Sequence, residues 1–206
     1  MYIPRFNCVD DEAEIRAMVS AARSAQFVTV GEDGWPVATL LPILWEGSTV
    51  VAHIARANPQ WRGILPDSPA LLICAGPQAY VSPNWYAAKA EHGRVVPTWD
   101  YIAVHLTGTV RVHEDAEWLR TAVSRLTDRH ERKRQQPWQI GDAPSHYIDS
   151  QLRGIVGLEI AIKRVEAKAK LSQNRSEADR RGVVAGLRGE EQTGSTAIAE
   201  AMEAAV

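Results

Sequence analysis

The sequence predicts a mainly β protein, a small barrel of antiparallel strands with helices at its start, middle and end. Three observations carry that prediction. β-rich runs follow one another through the first half of the chain, separated by Asp33-Gly34 and Glu46-Gly47, which are hairpin signals. Residues 115–135 repeat apolar side chains at helical spacing. No glycine-rich phosphate loop follows a strand, which sets aside the nucleotide-binding α/β architectures.

The elements follow in order. Residues 10–25 read as a helix: Asp10 or Asp11 caps it, Glu14 reaches back toward the cap, and Ile15, Met18, Val19 and Ala22 form its apolar face. Residues 26–55 hold three strands, turning at Glu32-Asp33-Gly34 and at Glu46-Gly47. Residues 56–69 are a connector with room for one helical turn. The run ALLICAGPQAYVSP predicts a strand broken at Gly76-Pro77, then a second short strand. NWYAAKAEHGRVVP reads as polar loop, and TWDYIAVHLTGTVRVHE as a long strand with a bulge at Gly108. In the helix over 115–135, Asp115 is the cap, and Leu119, Ala122, Val123 and Leu126 form the buried stripe. IVGLEIAIKRVEAKAKLS is a last strand, residues 176–189 are loop and short helix, and 188–206 is a small helical tail after a domain spanning 1–187.

Composition narrows the function. The chain has 206 residues, 45% hydrophobic and 23% charged, with net charge −2. That is ordinary for a globular domain and a poor electrostatic footprint for a DNA-binding one. No apolar run is long enough to span a membrane, and the start of the chain has no secretory pattern, so the expectation is cytoplasmic. Cys8 and Cys74 lack metal spacing and read as reduced thiols; the histidines are scattered, and none is assigned to a metal. Seven tryptophans against two phenylalanines put most aromatic bulk in rings with a polar edge.

Four stretches could carry chemistry. In HIARANPQW, His53, Arg56, Asn58 and Gln60 offer donors for an anion, and the small Ala55 and Ala57 leave room for a ligand; a solvated turn accounts for the same residues equally well. In YVSPNWYAAK and VPTWDY, Ser82, Trp85, Lys89, Thr98 and Trp99 suit a planar ring with polar edges, but rings in β proteins more often fill the core. KAKLSQNRSEADRRG is an anion-binding or a solvated basic run, with Ser172, Gln173 and Asn174 as uncharged donors after Lys170. RHERKR (129–134) could touch a nucleic-acid backbone, although Glu131 interrupts its charge. No catalytic residue is assigned.

Together with MYIPRF, ATLLPIL and IVGLEIAI, these stretches resemble the PaiB-type FMN-binding negative transcriptional regulators. The resemblance covers the chain from Met1 to about Leu187. It implies an FMN-binding split β-barrel, of the kind shared with pyridoxamine-phosphate oxidases and flavin reductases, and a homodimer with FMN at the interface. By position in the motifs, Thr39 and backbone amides of its strand, Leu41 included, would meet the flavin ring edge. Arg56, Ala57 and Asn58 would hold the phosphate with His53 close by. Ser82, Trp85, Thr98 and Trp99 would wall the ring, and Lys170, Ser172 and Gln173 would complete the phosphate or ribityl contacts. Lys170 or Lys89 would place positive charge near the ring. DNA contact by such a regulator would come from the basic segments Arg129 to Arg134 and Lys163 to Arg181; an NAD(P)H-linked FMN oxidoreductase activity and a haem-binding barrel with His53 or His105 as ligand are the alternatives.

Overall fold

The computed structural model describes residues 1–190 and 192–205. A short strand β1 (Cys8–Val9) precedes helix α1 (Glu12–Ala22), whose first turn is capped by Asp11: its Oδ1 accepts from the Glu14 amide at 2.8 Å. The meander follows as β2 (Ser24–Val30), β3 (Pro36–Pro42), β4 (Leu44–Glu46) and β5 (Thr49–Ala55). Gly34 and Gly47 take positive φ at the two turns, the conformation that favours glycine there. Proline sits at both ends of β3, the terminal strand of the sheet, where a missing N–H is tolerated.

Three long strands make the rest of the sheet: β6 (Ser68–Val81), β7 (Thr98–His113) and β8 (Ile155–Lys170). Between β6 and β7 lies the short helix α2 (Ala88–His92). Between β7 and β8 lie α3 (Ala116–Glu131) and α4 (Ser145–Leu152), and the chain ends in α5 (Glu177–Arg188) and α6 (Ser195–Ala204). Among the described residues, eight strands form one antiparallel sheet, ordered β3-β2-β6-β7-β8-β5-β4 with β1 on β8. β3 contacts β5 although they stand near opposite ends of that path, so the sheet curls upon itself. This is the split-barrel class expected from the sequence. No helix among the described residues is long and apolar enough to cross a membrane.

Two compact units share the long strands. One comprises 1–18, 75–104 and 166 onward, and the other 19–74 and 105–165. The core of the first joins Val81 and Tyr86 to Leu171, Val183, Leu187, Ile198 and Met202, so α6 is built into that core. The expected tail includes Glu191 and Val206, which lie outside the described residues. In the second unit, Phe27, Val50, Ile54, Leu72, Leu158 and Ile160 are fully buried. α3 and α4 pack there through Leu119, Ile148 and Leu152. The Asp115 cap is present, its Oδ1 accepting from the Trp118 amide at 2.8 Å.

The stretch expected to hold three strands holds four, because β3 and β4 are separate on either side of Ile43. Four further expectations need correction. β6 is not broken at Gly76-Pro77. Its buried set instead changes parity there, from Ala70, Leu72 and Cys74 to Ala79 and Val81, and Gly76 lies where a Cβ would stand 3.0 Å from Cβ of Ile102. Gly108 marks no bulge: Val104, Leu106 and Val110 stay buried at alternate positions on either side of it, and glycine is required because a Cβ would lie 2.2 Å from the Ala161 carbonyl oxygen. The polar loop after β6 contains α2. Residues 177–188 are one regular helix capped by Ser176, whose Oγ accepts from the Asp179 amide.

Candidate functional site

In the second unit, the turn after β5 is organised by Gln60, which is buried at the start of a 3-10 turn (Pro59–Gly63). Asn58 caps that turn, its Oδ1 accepting from the Gln60 amide at 2.9 Å. The Gln60 side chain reaches the β2–β3 hairpin. Nε2 donates toward the Phe27 and Val37 carbonyls and Thr29 Oγ1, each at 3.1 Å, and Oε1 accepts from Thr39 Oγ1 at 2.6 Å. Asn58 Nδ2 donates to the same Thr39 hydroxyl at 3.0 Å. Thr39, expected at the ring edge, and Asn58, expected at the phosphate, thus touch each other, with Gln60 as their template. Leu41, two residues on, is buried.

Arg56 lies between exposed Ala55 and Ala57. Its Nε donates to the Arg153 carbonyl, Nη2 to the Ile155 carbonyl, and Nη1 pairs with Glu114. A guanidinium has five N–H groups, so two remain for an anion. Trp61 donates its indole N–H to the Arg56 carbonyl, and the guanidinium carbons of Arg56 and Arg62 stand 5.8 and 5.5 Å from its ring centre. Arg62 is exposed and makes no hydrogen bond among the described residues. Two cations on one indole, beside two exposed alanines and an amide–hydroxyl pair, fit a phosphate monoester. Sequence reasoning passed over Arg62, whose signal was the W-R pair following the motif.

His53 is not in that array. It faces Gly157 of β8 in register, and its Nδ1 is buried with no hydrogen-bond partner. Burial lowers its pKa and holds the imidazole neutral.

The remaining expected residues lie in the first unit. Lys170 Nζ donates to Thr98 Oγ1 (2.6 Å), the Trp99 carbonyl (2.7 Å) and Asp100 Oδ1 (3.0 Å), which uses all three of its N–H groups. Ser172 Oγ donates to the other oxygen of fully buried Asp100 at 2.7 Å. Gln173 closes the turn, accepting from the Leu171 amide and donating to the Ala169 carbonyl. Trp99 rests on this platform, 46% exposed, with its indole N–H on Gln78 and its ring 6.4 Å from that of Tyr80. Trp85 differs. It packs on α5, where a Cβ at Gly186 would lie 2.2 Å from its ring and one at Gly182 2.0 Å from its carbonyl oxygen. The signal was two glycines four apart in a helical stretch. Ser82 Oγ accepts from the Asn84 amide, and Lys89 donates to the Asn84 side chain. Among the described residues no group of His, Cys, Asp and Glu could hold a metal.

The family model described as "Putative FMN-binding domain" matches residues 1–164. The chain is 34% identical to the Protease synthase and sporulation protein PAI 2 of Bacillus subtilis, over 98% of this chain and 97% of that protein. Among solved structures, it resembles an FAD- and haem-binding protein from Mycobacterium smegmatis (TM-score 0.61, 19% identity, 80% of this chain and 73% of that one). It also resembles the conserved hypothetical protein Rv2991 from Mycobacterium tuberculosis (TM-score 0.59, 17% identity, 95% and 99%). At those identities the likeness concerns the fold, which agrees with the curled antiparallel sheet. Family model, relative and fold converge, and the chain belongs to the PaiB-type family of FMN-binding split-barrel proteins.

Proposed function

We propose that the protein is a cytoplasmic homodimer that holds FMN and acts as a flavin-dependent negative regulator of the PaiB kind. The observation that carries the FMN reading is the Arg56–Arg62 pair on Trp61, beside Thr39 and Asn58. The guanidiniums suit the phosphate, and the hydroxyl and amide suit a polar ring edge or ribityl chain. Trp99 offers an exposed indole to a flat partner. A second copy has a surface to cover: Trp35 and Leu40 are 72% and 60% exposed in and beside the terminal strand β3. When bound, FMN would supply the redox chemistry; the chain supplies binding and orientation.

The absorption spectrum and mass of the purified protein test this reading. Flavin bands and a dimer mass support it, and a Soret band in their place supports the haem alternative. Titration separates the phosphate contact. Arg62→Ala is expected to weaken FMN by about ten- to hundredfold, the effect of one charged hydrogen bond, and to leave riboflavin binding unchanged. Equal loss for both ligands would remove Arg62 from the phosphate site.

A second reading, an NAD(P)H-linked FMN oxidoreductase, is favoured by the helix connections, which form no helix-turn-helix among the described residues. Arg134 pairs with Glu131 at 2.9 Å, which offsets one charge of the run, while Arg129 donates to the neutral Ser20 hydroxyl and Arg132 and Lys133 are exposed. No two helices among the described residues are joined by the about three- to four-residue turn of a helix-turn-helix. Salt-sensitive binding to a promoter fragment supports direct repression. Anaerobic reduction of the bound flavin by NADH or NADPH, without such binding, supports the enzyme.

A further inference from the structure

α3 roofs a cavity of about 270 Å³ whose floor is formed by β4, β5 and β8, and none of its lining residues belongs to the flavin-binding set. The volume is just under the ~300 Å³ at which drug-sized pockets begin, a space for one amino acid rather than a nucleotide. Its charge is divided. Arg125 of α3 lines it and pairs only with Glu46 among the described residues. Both side chains are about half exposed, so Glu46 can swing to solvent and leave guanidinium N–H groups for a carboxylate. On the floor, Glu159 is held by one oxygen: Oε2 lies 2.8 Å from His113 Nε2, and the His113 ring lies flat on Trp118, 4.1 Å away at 2°. Its Oε1 accepts no hydrogen bond among the described residues. Val51, Ala122 and Trp118 supply the apolar lining.

With Glu46 swung out, a simple anion in this space still meets the Glu159 carboxylate, and a simple cation meets Arg125. A small zwitterion with an aliphatic body satisfies both ends and the lining. We propose that this cavity binds a free α-amino acid with an aliphatic side chain, its ammonium on Glu159 and its carboxylate on Arg125. Bound so, the ligand bridges α3 to β8 and makes the protein responsive to amino-acid supply.

Calorimetric titration of the full-length protein with L-leucine, L-leucinamide and 4-methylpentanoate tests the proposal. Leucine is expected to bind, and each single-charge analogue to bind about ten- to hundredfold more weakly, the effect of one lost charged hydrogen bond. Glu159→Gln is expected to weaken leucine to the same degree. Thr121→Phe narrows the cavity from the exposed side of α3 without breaking an ion pair. It is expected to abolish the leucine signal with the unfolding midpoint and flavin content unchanged. Absence of heat with leucine at about 10 mM, equal binding of leucinamide, or undiminished binding by the Thr121→Phe protein overturns the proposal. None of the outcomes that overturn the proposal depends on whether FMN is the cofactor.

Discussion

Gln60→Ala is the perturbation whose cost can be worked most directly from the structure. The buried amide Nε2 faces three acceptors, the Phe27 and Val37 carbonyls and Thr29 Oγ1, but carries only two hydrogens. Adding the bond from Thr39 to Oε1 gives about three full hydrogen bonds, each with a net contribution of about 0.5–1.5 kcal/mol. Truncation is therefore expected to cost about 2–4 kcal/mol, a large share of the ~5–15 kcal/mol that stabilises an ordinary domain. Gln60→Glu sharpens the test because it keeps shape and removes the donors. At neutral pH its carboxylate would face two carbonyl oxygens in a buried site, which makes it worse than alanine. Burial would raise the folded-state pKa of that glutamate, so its penalty is full at high pH. The penalty fades as pH falls through the raised folded value toward ~4.3 for the unfolded chain. Urea unfolding followed by tryptophan fluorescence measures both variants. A loss under about 0.5 kcal/mol for alanine, or a glutamate better tolerated than alanine at pH 7, would refute the reading of Gln60 as a buried donor. The same change removes the template of Thr39 and Asn58, so flavin affinity is expected to fall with it.

Three further outcomes are expected. Gly108→Ala should destabilise more than Gly157→Ala, because a Cβ at Gly108 meets the Ala161 backbone whereas one at Gly157 meets the Trp118 ring, which can move; thermal unfolding ranks the two, with Gly157→Ala at about 1–3 kcal/mol. Asp100→Ala should cost about 3–5 kcal/mol, since it strips the buried partner from Lys170 and Ser172, and urea midpoints report it. Burial pushes the Cys74 thiol up to about 12, so a thiol reagent near pH 8 should label exposed Cys8 alone in the native protein and both cysteines in denaturant, counted by mass.

Local chemistry made the first half of the fold legible. The turns at Gly34 and Gly47 are specified by residues that tolerate positive φ, and strand alternation follows from them. What escaped reading depends on distant partners. α4 carries few apolar residues, and its place is set by Ile148 and Leu152 against Leu119 of α3. α5 contains Gly182 and Gly186, which lower helix propensity by about 1 kcal/mol each. Those glycines argue against a regular helix in the sequence, and the packed structure needs both to admit Trp85.

The candidate site was legible as residue types and not as hydrogen bonds already spent. Lys170 was expected to complete the phosphate or ribityl contacts, yet its three N–H groups are used within the chain, and with Asp100 and Ser172 it forms the support beneath Trp99. Arg62 belonged to no expected site, yet it stands unspent on the same indole as Arg56. The two tryptophans divide in the same way: the ring of Trp85 is taken up by α5, whereas that of Trp99 remains open to solvent. If Trp99 meets the flavin, Trp99→Leu should change the flavin spectrum and its fluorescence quenching while leaving the unfolding midpoint in place. A Trp99→Leu protein that loses stability and keeps the same flavin spectrum would place that ring with Trp85, as part of the protein's own packing.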